Sequence, residues 1–228
     1  MPSAQTMTSQ CVDKIQNLIL TGELLPGDRI KGEYLRNVLG VGLSPIREAL
    51  SRLATTPLVE FTDNAGFKVG EITVDSLTDS YTGYAKIEAL LLSDAILNGD
   101  DAWEARIIAA LYRLTKIEKD LQKVRYGDWS ILNRDFHDAL VAGCRIRSLQ
   151  NIRKDFILLR DWYFNLAYPN LDEELFITNH TEHQEIADLA IMRKDPDKVA
   201  QILYEHTLSI LPEVLTRIQK RGLIANKS

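Results

Sequence analysis

At 228 residues the chain has room for one large domain or two small ones. Its 45% apolar and 26% charged residues are ordinary for a globular protein with a sizeable core, which excludes disorder of the whole chain. A net charge of -5 is, as an average, the wrong sign for a nucleic-acid binder, so only a local reversal of charge would admit one. No run approaches the roughly 18 apolar residues of a membrane span, and the N-terminus lacks the basic-then-apolar order of a secretory leader. The expectation is a cytoplasmic protein with no membrane partner. Cys11 and Cys144 have neither metal-motif nor nucleophile context and read as reduced, packed thiols.

Val12, Ile15, Leu18 and Ile19 recur at helical spacing and stop before Gly22, which predicts a first helix. A second, from about Lys31 to Leu39, is expected to bury Leu35, Val38 and Leu39 and to end at Gly40. The third is expected to open with Ser44 as N-cap and Pro45 at the first helical position. At about 100° per residue, Ile46, Ala49, Leu50 and Leu53 then share one face, and Ser44, Arg47, Glu48 and Ser51 share the other. One face packs and the other reads. Val59 and Phe61, the turn residues Asp63 to Gly66, and Phe67 and Val69 follow as a hairpin.

Two helices across a tight turn, a preceding helix and a following hairpin make a winged helix-turn-helix, whose partner is double-stranded DNA. The required charge reversal is present. Arg29, Lys31, Arg36, Arg47 and Arg52 face only Glu33 and Glu48 between residues 29 and 52.

After Gly70 the alternation stops and long helical periodicities run to the C-terminus. Leu77, Tyr81, Tyr84, Glu88 and Leu91 or Leu92 mark a long helix ended by Asn98 and Gly99. Further helices are expected from Ala102 to Arg125, Trp129 to Ala142, Leu149 to Ala167, Leu171 to Met192 and Pro196 to Arg221, the last kinked at Pro212. The fold class is therefore mainly α: a winged helix-turn-helix over residues 1–72 and an all-α bundle over 73–228.

All four histidines, His137, His180, His183 and His206, fall in that bundle. Asn133 and His137 are four apart and share a helix face, the spacing at which two side chains hold one ion. With His183 and His206 from later helices, three imidazoles and an oxygen donor suit zinc, nickel or another divalent transition metal. Spacing alone favours four unrelated helical histidines, because His183 and His206 are far apart in sequence. A hydrolytic zinc site would need Glu182 or Glu185 as base, and a metal-free pocket would use the histidines to bind an anion directly.

Residues 10–72 resemble the GntR transcription regulators of bacteria. The resemblance rests on Gly22-Glu23-Leu24-Leu25-Pro26-Gly27, on Leu39-Gly40-Val41, and on Pro45-Ile46-Arg47-Glu48-Ala49-Leu50. It implies that Ser44 and Arg47 contact operator DNA, with the tip near Gly66 at the minor groove. Pro45, Ser51 and Arg52 lie on the same reading segment, and Lys31, Arg36 and Lys68 are expected at phosphates. Many members carry Ser-Arg-Thr-Pro where this chain has Gly42-Leu43-Ser44-Pro45, so a different operator is expected.

Residues 75–215 resemble the FCD-type ligand-binding domains of the FadR-like branch, through Asn133, Phe136-His137, Glu182-His183 with Ile186, and His206. That resemblance implies a metal held by Asn133, His137, His183 and His206, and a pocket for a small carboxylate effector near Tyr84, Glu88 and His180. It also implies a homodimer that meets an operator of inverted symmetry and an activity without catalysis. Asn133 stands where many members have Asp, and Tyr84 where relatives often have Arg.

Overall fold

The computed structural model describes residues 6–118, 126–169, 173–193 and 195–225. In chain order the elements are α1 (Met7–Leu20), α2 (Gly32–Leu39), α3 (Leu43–Leu53), β1 (Val59–Thr62) and β2 (Gly66–Val69). There follow α4 (Val74–Asn98), α5 (Asp101–Glu118), α6 (Tyr126–Val141), α7 (Arg147–Ala167), α8 (Glu173–Ile191), α9 (Pro196–Ser209) and α10 (Leu211–Lys220). The chain divides into two compact units. One comprises Met1–Thr78, Leu158–Ala167 and Glu213–Ser228, the other Asp79–Ile157 and Tyr168–Pro212.

In the first unit, Ile15 and Ile19 of α1, Leu35 of α2, and Ile46, Ala49, Leu50 and Leu53 of α3 form the buried core. Each buried Leu or Ile contributes about 1.5–3 kcal/mol, so this face outweighs the poor intrinsic stability of helices as short as α2. Gly40 closes α2 at φ 68, the left-handed position that a side chain with Cβ resists. Val38 departs from expectation at 48% exposed. An eight-residue helix presents barely two turns, and Leu35 alone is fully buried from it.

The start of α3 also differs from the sequence reading. Gly42, extended at φ -69 and ψ 164, occupies the cap with no side-chain hydrogen bond, and Ser44 is the second helical residue. Pro45 is tolerated two positions later in the helix than expected because first-turn N–H groups have no intrahelical acceptor to lose. The hairpin pairs Val59 with Val69, Glu60 with Lys68, Phe61 with Phe67 and Thr62 with Gly66. Its turn is made by left-handed Asn64 (φ 62) and Gly66 (φ 83). The Arg29 guanidinium donates to the Ala65 carbonyl from Nε at 3.0 Å and Nη2 at 2.6 Å, which braces that turn. Later in the same unit, Ile72 bridges Ile224.

The second unit is helical in every described element, as the periodicity requires. Its core draws on Leu91, Leu92, Trp103, Ile107, Leu114, Trp129, Phe136, Ile186, Val199 and Leu203. Asp195 caps α9 by accepting from the Asp197 and Lys198 N–H groups, as the Asp-Pro pair indicates. The expected kink at Pro212 is a break: α9 ends at Ser209 and α10 starts at Leu211. Proline has no N–H with which to continue the ladder, so a new helix begins with Pro212 in its first turn. The expected ends at 119–125 and 171–172 lie outside the described residues.

Candidate DNA-reading face and candidate metal centre

The exposed side of α3 presents Ser44, Arg47 and Ser51 to solvent. Together with the hairpin, α3 walls a cleft of about 670 Å³ whose lining includes Lys31, Arg47, Ser51, Phe61 and Gly66. Among the described residues neither Arg47 nor Lys31 faces a carboxylate partner, so both are available to an external anion. The other basic candidates are engaged. Arg36 pairs with Glu33 at 2.8 Å, Arg52 with Glu48 at 2.6 Å, and Lys68 with Glu60 at 3.0 Å and Glu71 at 2.9 Å. The hydrogen bond to Glu71 is the main cause of the raised pKa of Lys68. Surface pairs of this kind are worth roughly 0–1 kcal/mol, so a phosphate can displace them.

In the second unit, helices α6, α8 and α9 bring His137, His183 and His206 together, with one ring nitrogen of each within 4.8 Å of the others. The Nε2 atoms of His183 and His206 are 3.1 Å apart. The rings of His137 and His206 stack at 18°, and that of His183 stands nearly perpendicular to His137 at 85°. Residues 183 and 206, distant in sequence, meet because α8 and α9 pack side by side.

Two carboxylates hold the outward nitrogens. Glu182 Oε2 is 2.6 Å from His206 Nδ1, and Glu88 Oε2 is 3.3 Å from His137 Nδ1. A carboxylate on Nδ1 fixes the ring and directs the Nε2 lone pair inward, the arrangement that supports a metal-binding imidazole. Asn133, one turn before His137 on α6, is 2% exposed, and its Oδ1 has no hydrogen-bond partner among the described residues. A buried orphan acceptor costs free energy unless a cation or donor meets it. Three converging imidazoles and that oxygen therefore fit a divalent transition metal.

The other sequence candidates fall into different roles. Glu88 has no exposed surface, and its carboxylate is bonded to Arg153 as well as His137. Burial alone would raise its pKa, but the adjacent Arg153 guanidinium and the His137 bond overcome this and hold it at about 2. Tyr84 is buried near the same charges. His180 does not join the three-histidine group; its Nδ1 lies 2.9 Å from Glu118 Oε2, a carboxyl whose pKa burial raises. Trp129 Nε1 donates to the other oxygen of Glu118 at 3.0 Å.

Sequence reasoning missed Arg153 and Asp138, and beyond its place in the Glu182-His183 motif it gave Glu182 no role except as a hydrolytic base. With its carboxylate on His206, Glu182 is committed to orienting that ring, while Glu185 is exposed. Glu182 carried a signal in its place beside His183; Arg153, on a separate helix, carried none.

Comparison with known proteins gives a consistent picture. Residues 7–69 match the family described as bacterial regulatory proteins, gntR family, and residues 79–209 match the FCD domain. The chain is 29% identical over 201 residues to the HTH-type transcriptional repressor GlaR of Escherichia coli (strain K12), covering 87% of this chain and 91% of that protein. It is also 29% identical over 199 residues to the uncharacterized HTH-type transcriptional regulator BphR of Paraburkholderia xenovorans (strain LB400), covering 86% and 80%. The fold matches that of E. coli McbR/YncC with a TM-score of 0.74 at 18% identity, over 93% of this chain and 98% of that one.

Proposed function

We infer that this chain, which belongs to the gntR family of bacterial regulatory proteins with an FCD domain and is a DNA-binding transcription regulator, is a repressor controlled by an effector bound in a metal-containing pocket of its C-terminal domain. Its effector is a small carboxylate, and its DNA-binding and effector-binding domains are residues 1–72 and 73–228. The observation that carries the sensor half of this reading is the three-histidine cluster, with the orphaned Asn133 oxygen carried one turn before His137 on the same helix. Asn133, His137, His183 and His206 hold the metal, with zinc the first choice for that donor set and nickel the second. When bound, the metal supplies a Lewis-acid position for one carboxylate of the effector.

The protein's own residues do the rest. Glu88 and Glu182 fix the His137 and His206 rings, so little reorganisation accompanies binding. His180, held by Glu118 one turn before His183, offers its remaining nitrogen to the effector, and Tyr84, buried near Arg153, makes a further effector contact. On the DNA side, Arg47 reads a base edge, with a guanine the best match for its fork. Ser44 and Ser51 flank it, Gly66 brings the hairpin tip to the minor groove, and Lys31, Arg36, Arg52 and Lys68 meet phosphates. A homodimer places two such faces on an inverted repeat. Release from DNA follows only to the extent that the effector binds the two conformations of the dimer unequally.

The test is a gel shift with inverted repeats from the region upstream of the chain's own gene, run with zinc and a panel of small carboxylates. Elemental analysis of tag-free protein and light scattering for the dimer accompany it. Specific binding weakened by one carboxylate in a metal-dependent way is the expected result. Carboxylate release that persists in metal-stripped protein would replace the metal centre with a direct anion pocket.

A further inference from the structure

The two carboxylates behind the histidines are held very differently. Glu182 is 35% exposed at its side chain, and among the described residues its partner is His206 alone. Glu88 is fully buried on α4 with both oxygens engaged. Oε1 accepts from Nε of Arg153, while Oε2 meets His137 Nδ1 at 3.3 Å and Arg153 Nη2 at 3.4 Å. The same guanidinium donates through Nη1 to Asp138 Oδ1. Asp138 follows His137 directly on α6, so one side chain from α7 grips both the carboxylate that meets the ring and the helix that carries it.

We propose that Arg153 is a positioning residue for the metal centre: its guanidinium, seated between Glu88 and Asp138, fixes the carboxylate that sets the His137 ring. A carboxylate on three rotatable bonds has no intrinsic reason to aim one particular oxygen at Nδ1. The planar fork supplies that reason, because Nε and Nη2 engage the two oxygens side by side and leave only the outer edge of Oε2 for the imidazole. With Nδ1–H spent on Glu88, Nε2 keeps its lone pair for the cluster. Arg153 is itself only 7% exposed, so water does not substitute for its hydrogen bonds. This proposal rests on the metal-centre reading but makes a separate claim, about the ring rather than the ion.

The experiment compares full-length wild type with Arg153→Met, Arg153→Lys and the milder Asp138→Asn. In metal-free protein at about pH 8, above the histidine range, ¹⁵N spectra report the His137 tautomer; a zinc competition titration then reports affinity. Wild type is expected to hold the Nδ1–H form alone. Arg153→Met mixes both forms and weakens zinc by roughly 10–100-fold. Arg153→Lys falls between, since it keeps the charge and loses the fork, and Asp138→Asn has the smallest effect while preserving the buried pair. An unchanged His137 tautomer in folded Arg153→Met or Arg153→Lys overturns the proposal, even if the melting temperature drops. Wild type with His137 fixed but no affinity for zinc sinks the metal centre and upholds the positioning role.

Discussion

Arg47 and Lys31 stand in water beside an open cleft, whereas His137 and His183 are 4% and 0% exposed and their neighbouring carboxylate Glu88 has no surface at all. The two regions use charge in opposite ways. Exposed cations keep their hydration until DNA arrives, act over a screening length of about 8–10 Å, and weaken with salt. Buried groups have already lost their water, so each needs a fixed partner; Glu88 has Arg153 and His137, and Arg153 has Glu88 and Asp138. A face that meets a long polyanion gains from availability. A centre that selects one small ion gains from side chains already held in place.

The sharpest way to break this comparison is His183→Ala, which removes one of the proposed metal ligands from the three-histidine cluster. Zinc affinity should fall by more than about 100-fold, beyond the range seen for orienting partners, while operator affinity measured without effector stays near wild type. Loss of both would show that the regions are not separable in function. Next comes Arg47→Ala. A lost bidentate base contact costs about 1–3 kcal/mol, so specific binding should weaken by roughly 5–150-fold in gel shifts at fixed salt, with zinc affinity unchanged. An equal loss on random DNA would reassign Arg47 to a phosphate.

Glu88 makes the buried side of the comparison dependent on acid. Its folded pKa of about 2 lies below the ordinary 4.5, so its stabilising contribution is complete above about pH 4.5 and is lost as pH falls toward 2. Denaturation midpoints across that window should decline in wild type and decline less in Glu88→Gln; parallel curves would remove Glu88 as the cause. The smallest effect belongs to Lys31→Ala. It should weaken binding about equally on all sequences and reduce the slope of log affinity against log salt by about 1. Lys68→Ala should change less still, because Lys68 already shares Glu60 and Glu71.

The reading head was legible because its signals are local. Gly40, Pro45, the Ile46, Ala49, Leu50 and Leu53 face and the residues around Gly66 each act within a turn or two, and they place α2, α3 and the hairpin close to where they are found. The misread details are also local but competitive. Ser44 is a good cap, yet Gly42 takes the position and the helix gains Leu43 and Ser44; Val38 has the right period, yet α2 is too short to bury it. In the bundle, periodicity gave the helices, and Asn133 with His137 shared a face by arithmetic. The partners of those residues were not readable in this way. Glu88 reaches His137 across 49 positions and Arg153 across 65, distances at which no spacing rule operates.

By itself, then, the sequence determined the helix-turn-helix with its hairpin, the all-α bundle and the histidines worth watching, since backbone propensity and hydrophobic period are properties of neighbouring residues. Tertiary structure alone decided which cations remain available and which are already paired. It also decided that Glu182 turns to His206, and that Arg153 stands behind Glu88. Those outcomes depend on how helices distant in the chain pack, and a buried charge takes its partner from whatever that packing brings within reach.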